Sequence, residues 1–185
     1  MIISQCCLHI IPLLVVIVNM QAVQAVQPVI VQTPELEIEL TPRSPNQISS
    51  FYEARGFPKS MLDALRKQCY ISVRITNNSS QTIWLELSNW EFSSAGKTIK
   101  REHRDYWKER WTDMGIPLNK QSTFRWTLIP EILDYLPGEH EGGNIILPFS
   151  KLPISLTATF NTGENKQGKQ ITITTDKLFC AEDAQ

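Results

Sequence analysis

Few residues of this chain are of the types that serve as catalytic groups or metal ligands, and their spacing matches no known catalytic or metal-binding motif. After residue 25 the chain has two histidines, His103 and His140. It contains no His-x-x-x-His pair, no Cys-x-x-Cys pair and no acidic calcium loop, which are the arrangements that place several ligands around one ion. We therefore expect no metal site and no cofactor.

The stretch 137–144 is the nearest approach to a reactive cluster. Glu139, His140 and Glu141 are adjacent there, so they could surround a metal ion, or His140 could act as a base. The proline and glycines around them are typical of an exposed loop whose polar side chains are simply solvated. A hydrolase or metal carrier centred on 137–144 is one alternative. Because no Gly-x-Ser-x-Gly turn or phosphate-binding glycine loop is present, we expect that the protein is not an enzyme.

The four cysteines fall into two groups. Cys6 and Cys7 precede an apolar segment near the N-terminus, whereas Cys69 and Cys180 follow it. An even number of cysteines in an oxidising compartment is typical of a disulfide framework. We predict a Cys69–Cys180 disulfide, with two buried free thiols as the alternative.

The N-terminal segment resembles a secretory signal peptide. Residues 8–18 are mostly apolar, and this run is shorter than the roughly 20 residues that span a bilayer. Val23 and Ala25 are small residues at the positions that signal peptidase accepts before a cut. We predict a cleavable signal at 1–25, a periplasmic or secreted location and no stable membrane span after cleavage. An uncleaved membrane anchor is the alternative.

The charge of the chain excludes one class of partner. Its formal net charge is -1, and 20% of its residues are charged. A nucleic-acid partner is normally held by a large positive charge. We therefore expect no nucleic acid among the partners.

Residues 26–185 show repeated alternation of apolar and polar side chains, the pattern of half-buried strands. The segments that show it or carry short apolar runs are 35–40, 69–75, 83–87, 90–92, 123–128, 145–147, 154–160 and 171–174, with a weaker one near residue 99. Seven to nine strands with turn residues between them predict a mainly β fold, an antiparallel immunoglobulin-like β-sandwich in a single domain over 26–185.

Two helical insertions interrupt the predicted strands, at about 44–66 and 103–114. The first opens on Ser44-Pro45, an N-cap followed by proline at the first helical position. In the second, Trp107 and Trp111 lie at helical spacing. Such a stripe predicts a buried docking face against the sheet, and an exposed platform for a ligand is the alternative.

The second insertion is also the most basic and aromatic part of the chain. Since strands of a sandwich use their inward side chains for the core, recognition is expected in insertions and loops. We predict that Arg101, Arg104, Lys108 and Arg110 face a partner. The alternative is a solvated helix whose charges pair at i,i+4.

Together these features favour an exported, non-enzymatic binding or assembly module that contacts another envelope or secreted protein. A small-ligand or glycan binder that uses exposed Trp and Arg residues is the main alternative.

The signal peptide gives the first testable prediction. Because the apolar run is short and Ala25 completes the cleavage pattern, the exported protein should begin within a few residues of Val26. The intact mass of protein purified from its native envelope measures this. A mass that retains residues 1–25 would support the membrane anchor instead.

Overall fold

The computed structural model describes residues 27–183, so the predicted signal peptide lies outside the described residues. Within this range strands hold 41% of the residues and helices 27%. The fold is mainly β, with two antiparallel sheets, as the alternation predicted.

The described residues form ten strands and four α-helices, besides two short 3-10 turns. The strands are β1 Val29–Gln32, β2 Leu36–Arg43, β3 Gln68–Asn77, β4 Ile83–Glu86, β5 Trp90–Ser94, β6 Lys97–Ile99, β7 Ile132–Tyr135, β8 His140–Pro148, β9 Ile154–Thr162 and β10 Ile171–Leu178. The helices are α1 Pro45–Glu53, α2 Lys59–Leu65, α3 Arg104–Asp113 and α4 Leu118–Thr127.

The two sheets are assembled from strands distant in sequence. The first sheet has the order β1-β2-β3-β8. In the second, β9 pairs with β10 along most of its length, with β5 and with β4, while β6 and β7 extend the sheet from β5 and β4. Strands β3 and β4 belong to different sheets, so the polar turn between them carries the chain across the sandwich.

A hydrophobic core fills the space between the two sheets. Alternate residues of β2, namely Leu36, Ile38 and Leu40, are fully buried there, and the residues between them are half-buried. Leu156, Ala158 and Phe160 of β9 belong to the same cluster. This arrangement follows from the two-residue repeat of a strand, which sends every second side chain to the same face.

The helices form a third layer on the outer face of the first sheet. Tyr70 of β3 and Ile146 of β8 point away from the sandwich core and join a second buried cluster with residues of all four helices. Helix α1 begins as predicted. The Ser44 side chain accepts a hydrogen bond from the Gln47 backbone N–H, and the Gln47 side chain accepts one from the Ser44 backbone N–H.

The predicted strand at 123–128 is wrong, since most of this segment is helix α4. Gln121, Phe124 and Leu128 are buried at a spacing of three and four residues, as on one face of a helix. A strand would instead have placed Trp126 on the same face as Phe124 and Leu128. Packing into the helical cluster has therefore overridden the β-propensity of these Thr, Phe and Trp residues.

Cys69 and Cys180 form the predicted pair. Their sulfurs lie at bonding distance and their Cα atoms are 5.1 Å apart, within the range that a disulfide allows. Cys69 lies on β3, and Cys180 follows β10 in the C-terminal segment. The bond therefore ties that segment to the first sheet across 111 residues of sequence.

Loss of this bond should destabilise the protein. In the chain-entropy model a loop of this length contributes on the order of 4–5 kcal/mol, so reduction should lower the melting temperature by several degrees. Thermal unfolding with and without reductant measures the shift. The Cys69→Ala/Cys180→Ala double variant is the control and should be insensitive to reductant. An unchanged melting temperature of the parent on reduction would contradict the prediction.

Candidate functional site

The candidate site is an open groove where the helical layer ends against the first sheet. Its volume is about 610 Å³, and its walls come from α3, α4, β7 and β8. We call it the edge groove. It is lined by Arg104, Trp126, Leu128, Pro130, Leu133, Asp134, Gly138, Glu139, His140, Glu141 and Gly142.

Asn144 joins the helical layer to β8 at one end of the groove. Its backbone carbonyl accepts a hydrogen bond from the Ile129 N–H at 3.1 Å. Its side-chain amide donates to the Thr127 carbonyl at 3.0 Å, and its side-chain carbonyl accepts from Ser72 at 2.9 Å. The segment after α4 is thereby held against the outer edge of β8 at this residue.

Beyond Asn144 the outer edge of β8 is open. The Asn77 N–H donates to the Glu139 carbonyl, so this carbonyl and the peptide groups of 141 and 143 face β3. Those of His140 and Gly142 face the same way as Asn144, because peptide groups alternate along an antiparallel strand. No strand of the described residues pairs with His140 or Gly142 on that side.

Two adjacent glycines allow the close approaches at this place. A Cβ on Gly142 would lie 2.3 Å from the Val73 carbonyl oxygen, and one on Gly143 would lie 2.4 Å from the Ile129 nitrogen. A side chain at either position would force the backbone apart. The glycines therefore let β8 lie against β3 on one side and against the segment after α4 on the other.

Trp126 is the most exposed large apolar side chain in the described part of the chain, at 83%. It lies on α4, on the face that turns away from Phe124, and lines the edge groove. Trp126 is not among the predicted site residues, because its segment was predicted to be a strand. The one feature of the sequence that indicates its exposure is its spacing. In a helix, Phe124 and Leu128 share a face, and Trp126, two residues from each, lies on another face.

The stretch 137–144 is partly strand rather than loop, because β8 begins at His140. Residues 140–144 pair with β3, and the Glu139 carboxylate accepts a hydrogen bond from the Leu136 N–H at 2.8 Å. Across residues 27–183, no group of three or more His, Cys, Asp or Glu side chains is placed to hold a metal ion.

The four basic residues predicted to face a partner lie in different environments. The Arg101 guanidinium pairs with the Glu131 carboxylate, and its side chain is only 13% exposed. Arg104 donates to the Arg125 carbonyl and is half-buried. Lys108 is exposed, whereas the half-buried Arg110 lies 5.4 Å from the centre of the Trp107 ring. The structure thus leaves Lys108 the freest of the four, and their role in binding stays a prediction.

Trp107 and Trp111 are buried, at 3% and 1% exposure. Their ring centres are 5.4 Å apart, and Phe124 of α4 lies within 5.8 Å of both. The cluster that they join rests on Tyr70 and the outer face of the sheet. The two rings are therefore a docking face for α3, as the stripe predicted, and not an exposed platform.

Comparison with protein-family models, with curated proteins and with solved structures found no match. Among residues 27–183, no helix is long and apolar enough to cross a membrane.

Two tryptophan substitutions should distinguish a buried side chain that stabilises the fold from an exposed one that does not. Trp107→Ala should destabilise the protein by about 3–5 kcal/mol, because it leaves a cavity in the aromatic cluster. Trp126→Ala should change the free energy of unfolding by less than about 0.5 kcal/mol, because that side chain is solvated. Chemical denaturation of both variants measures the difference. Equal losses of stability would contradict this account of α3 and α4.

Proposed function

We propose that the protein is an exported, non-enzymatic binding module that contacts another envelope or secreted protein at the edge groove. The observation that carries the proposal is the juxtaposition of exposed Trp126 with the open edge of β8. The disulfide supports an oxidising location, periplasmic or secreted, because such bonds persist outside the reducing cytoplasm.

The open edge supports binding of an extended segment of the partner. The peptide groups of His140 and Gly142 offer hydrogen bonds to an added strand, and an unpaired strand edge is a ready template for one. Such a strand would continue the first sheet beyond β8.

Trp126 would supply the anchor of this interface. Tryptophan and arginine are enriched among the residues that dominate binding energy, and truncating such an anchor typically costs about 2 kcal/mol or more. Leu128, Pro130 and Leu133 give the groove an apolar floor beside the indole. An apolar side chain of the added strand would be buried between them.

The charges of the groove favour a partner strand that carries a basic residue. Asp134, Glu139 and Glu141 line the side formed by β7 and β8, and Arg104 lines the helical side. A lysine or arginine on the partner would face the three carboxylates. We propose that Lys108 and Arg110 of α3, with Arg104 and the more enclosed Arg101, add a second contact with acidic groups of the same partner.

The strand order supports an immunoglobulin-like arrangement, which we propose for the sandwich. When β4 and β5 are counted as one strand, β2, β3 and β8 occupy the places of the A, B and E strands in that fold. Strands β4–β5, β9 and β10 occupy those of C, F and G. Buried Trp90 then lies on the C strand, as in antibody domains. Strands β8 and β7 are then edges of the two sheets.

A photo-crosslinking experiment in the native envelope tests the proposed function. A photoreactive phenylalanine analogue at position 126 should give one defined protein adduct, and unlabelled parent protein in excess should suppress it. Unlabelled Trp126→Ala protein should compete poorly. The control is the same analogue at Lys177, an exposed position on β10. Absence of an adduct at 126, or the same adducts from both positions, would contradict the proposal.

A pair of proline variants tests the contribution of the strand edge. His140→Pro removes an N–H that faces outward, so the adduct should be lost while the melting temperature changes little. Glu141→Pro removes an N–H that faces β3 and should lower the melting temperature clearly. If the His140→Pro protein formed the adduct as well as the parent, the partner would not add a strand at this edge.

A further inference from the structure

We propose that a second site, a cavity between α3 and α4, binds a small organic anion with a ring-sized apolar body and a single carboxylate. The inference goes beyond partner binding at the edge groove, because it concerns a different class of ligand and a different cavity, which shares only Arg104 with the groove. The cavity has a volume of about 220 Å³. It is lined by Arg104, Trp107, Lys108, Trp111, Leu118, Gln121, Ser122, Phe124 and Arg125.

Aromatic rings that are only 1–3% exposed form the base of this helix cavity. Trp107, Trp111 and Phe124 pack in a triangle with ring centres 5.3–5.8 Å apart. Leu118, which is 79% exposed, lies at the entrance. Since an apolar cavity of about 150 Å³ already holds a benzene molecule, this one accommodates a single ring with a short substituent.

The charged side chains that line the cavity are all cationic within the described residues. They are Arg104, Lys108 and Arg125, and no carboxylate lines it. Arg125 pairs with Asp105 at 3.1 Å, outside the lining, whereas no ion pair is seen for Lys108 in the part of the chain that the structure describes. Three cations around an apolar space select for a ligand with an apolar body and a negative end.

Burial makes an anion more favourable here. Desolvation has the largest effect on the pKa of the Arg104 guanidinium and lowers it, and the neighbouring Arg125 charge lowers it further, while the carboxylates of Glu131 and Asp105 raise it by less. Desolvation and the Arg125 charge oppose the positive charge that Arg104 carries at neutral pH. A bound carboxylate would offset them by supplying an opposite charge at short range.

Two of the residues that line the cavity carry a donor without an acceptor. Arg104 Nε and Trp111 Nε1 are buried, and neither has a hydrogen-bond partner in residues 27–183. The amide of Gln121 is already used, because it donates to the Ile116 carbonyl and accepts from Thr112. Both donor atoms are almost inaccessible to solvent, so a carboxylate would pair with them only after a small movement of the side chains that cover them. Such pairing is favourable because buried polar groups are normally paired.

Calorimetry with three matched probes tests the charge requirement on the mature exported protein. Phenylacetate should bind saturably, whereas 2-phenylethanol should bind at least about tenfold more weakly, a difference of about 1.4 kcal/mol. Phenethylamine should not bind measurably. No saturation by phenylacetate up to about 10 mM, or equal binding of the acid and the alcohol, would overturn the proposal.

Variants and NMR locate the site. Lys108→Gln/Arg125→Gln should weaken phenylacetate binding at least about tenfold, and the control Lys97→Gln, an exposed position on β6, should not. Phenylacetate should shift the indole N–H resonances of Trp107 and Trp111 and leave that of Trp84 unchanged. Unaltered binding by the double variant, or a shift at Trp84 alone, would overturn the proposal.

The Trp126→Ala variant separates the two proposals. It should bind phenylacetate as the parent does, because Trp126 does not line the helix cavity, while it competes poorly for the protein adduct. Loss of phenylacetate binding in this variant would place the anion in the edge groove and overturn the assignment to the helix cavity. The crosslinking result would stand independently of that outcome.

Discussion

The first sheet must be buried on both of its faces where β3 pairs with the C-terminal half of β8, and the rest of the structure depends on this constraint. Strands β3 and β8 send Ile71 and Leu147 into the sandwich core and Tyr70 and Ile146 to the opposite side. Apolar side chains on that outer face must be covered, because each one left exposed would lose about 1.5–3 kcal/mol of the stabilisation that burial provides. The four helices provide the cover, and their aromatic cluster holds α3 and α4 in place.

The position of the helical layer determines where recognition is available. Asn144 fastens the end of α4 to β8, and the absence of a side chain at Gly143 lets the two backbones approach there. Since the cover ends at this residue, the remainder of the β8 edge is left without a neighbour among residues 27–183. The same packing turns Phe124 inward and Trp126 outward, so the exposed indole arises next to the open edge. The helix cavity has the same origin, because it lies where α3 and α4 meet around those rings.

Sequence patterns predicted the features that depend on neighbouring residues or on the count of cysteines. Alternation in β2 and β9, the start of α1 at Ser44 and the cysteine pair were all found in the structure. Helix α4 was missed because its Thr, Phe and Trp residues favour a strand until packing decides otherwise. The third layer did have a signal, since 69–71 and 145–147 are apolar on consecutive residues, the pattern of a strand buried on both faces. The edge groove had none, because it is created by contacts between β8 and a helix, which no sequence window contains.

Native-state hydrogen exchange along β8 tests the central claim most directly, because it probes the open edge in the free protein. The amides of His140 and Gly142 should exchange quickly, since they face outward without a partner strand. Those of Glu141 and Gly143 should exchange slowly, since they face β3 in the ladder. This alternation of fast and slow amides, read residue by residue by NMR, is the result that the account predicts. Equal protection of all four amides would mean that the edge is already covered, and would contradict it.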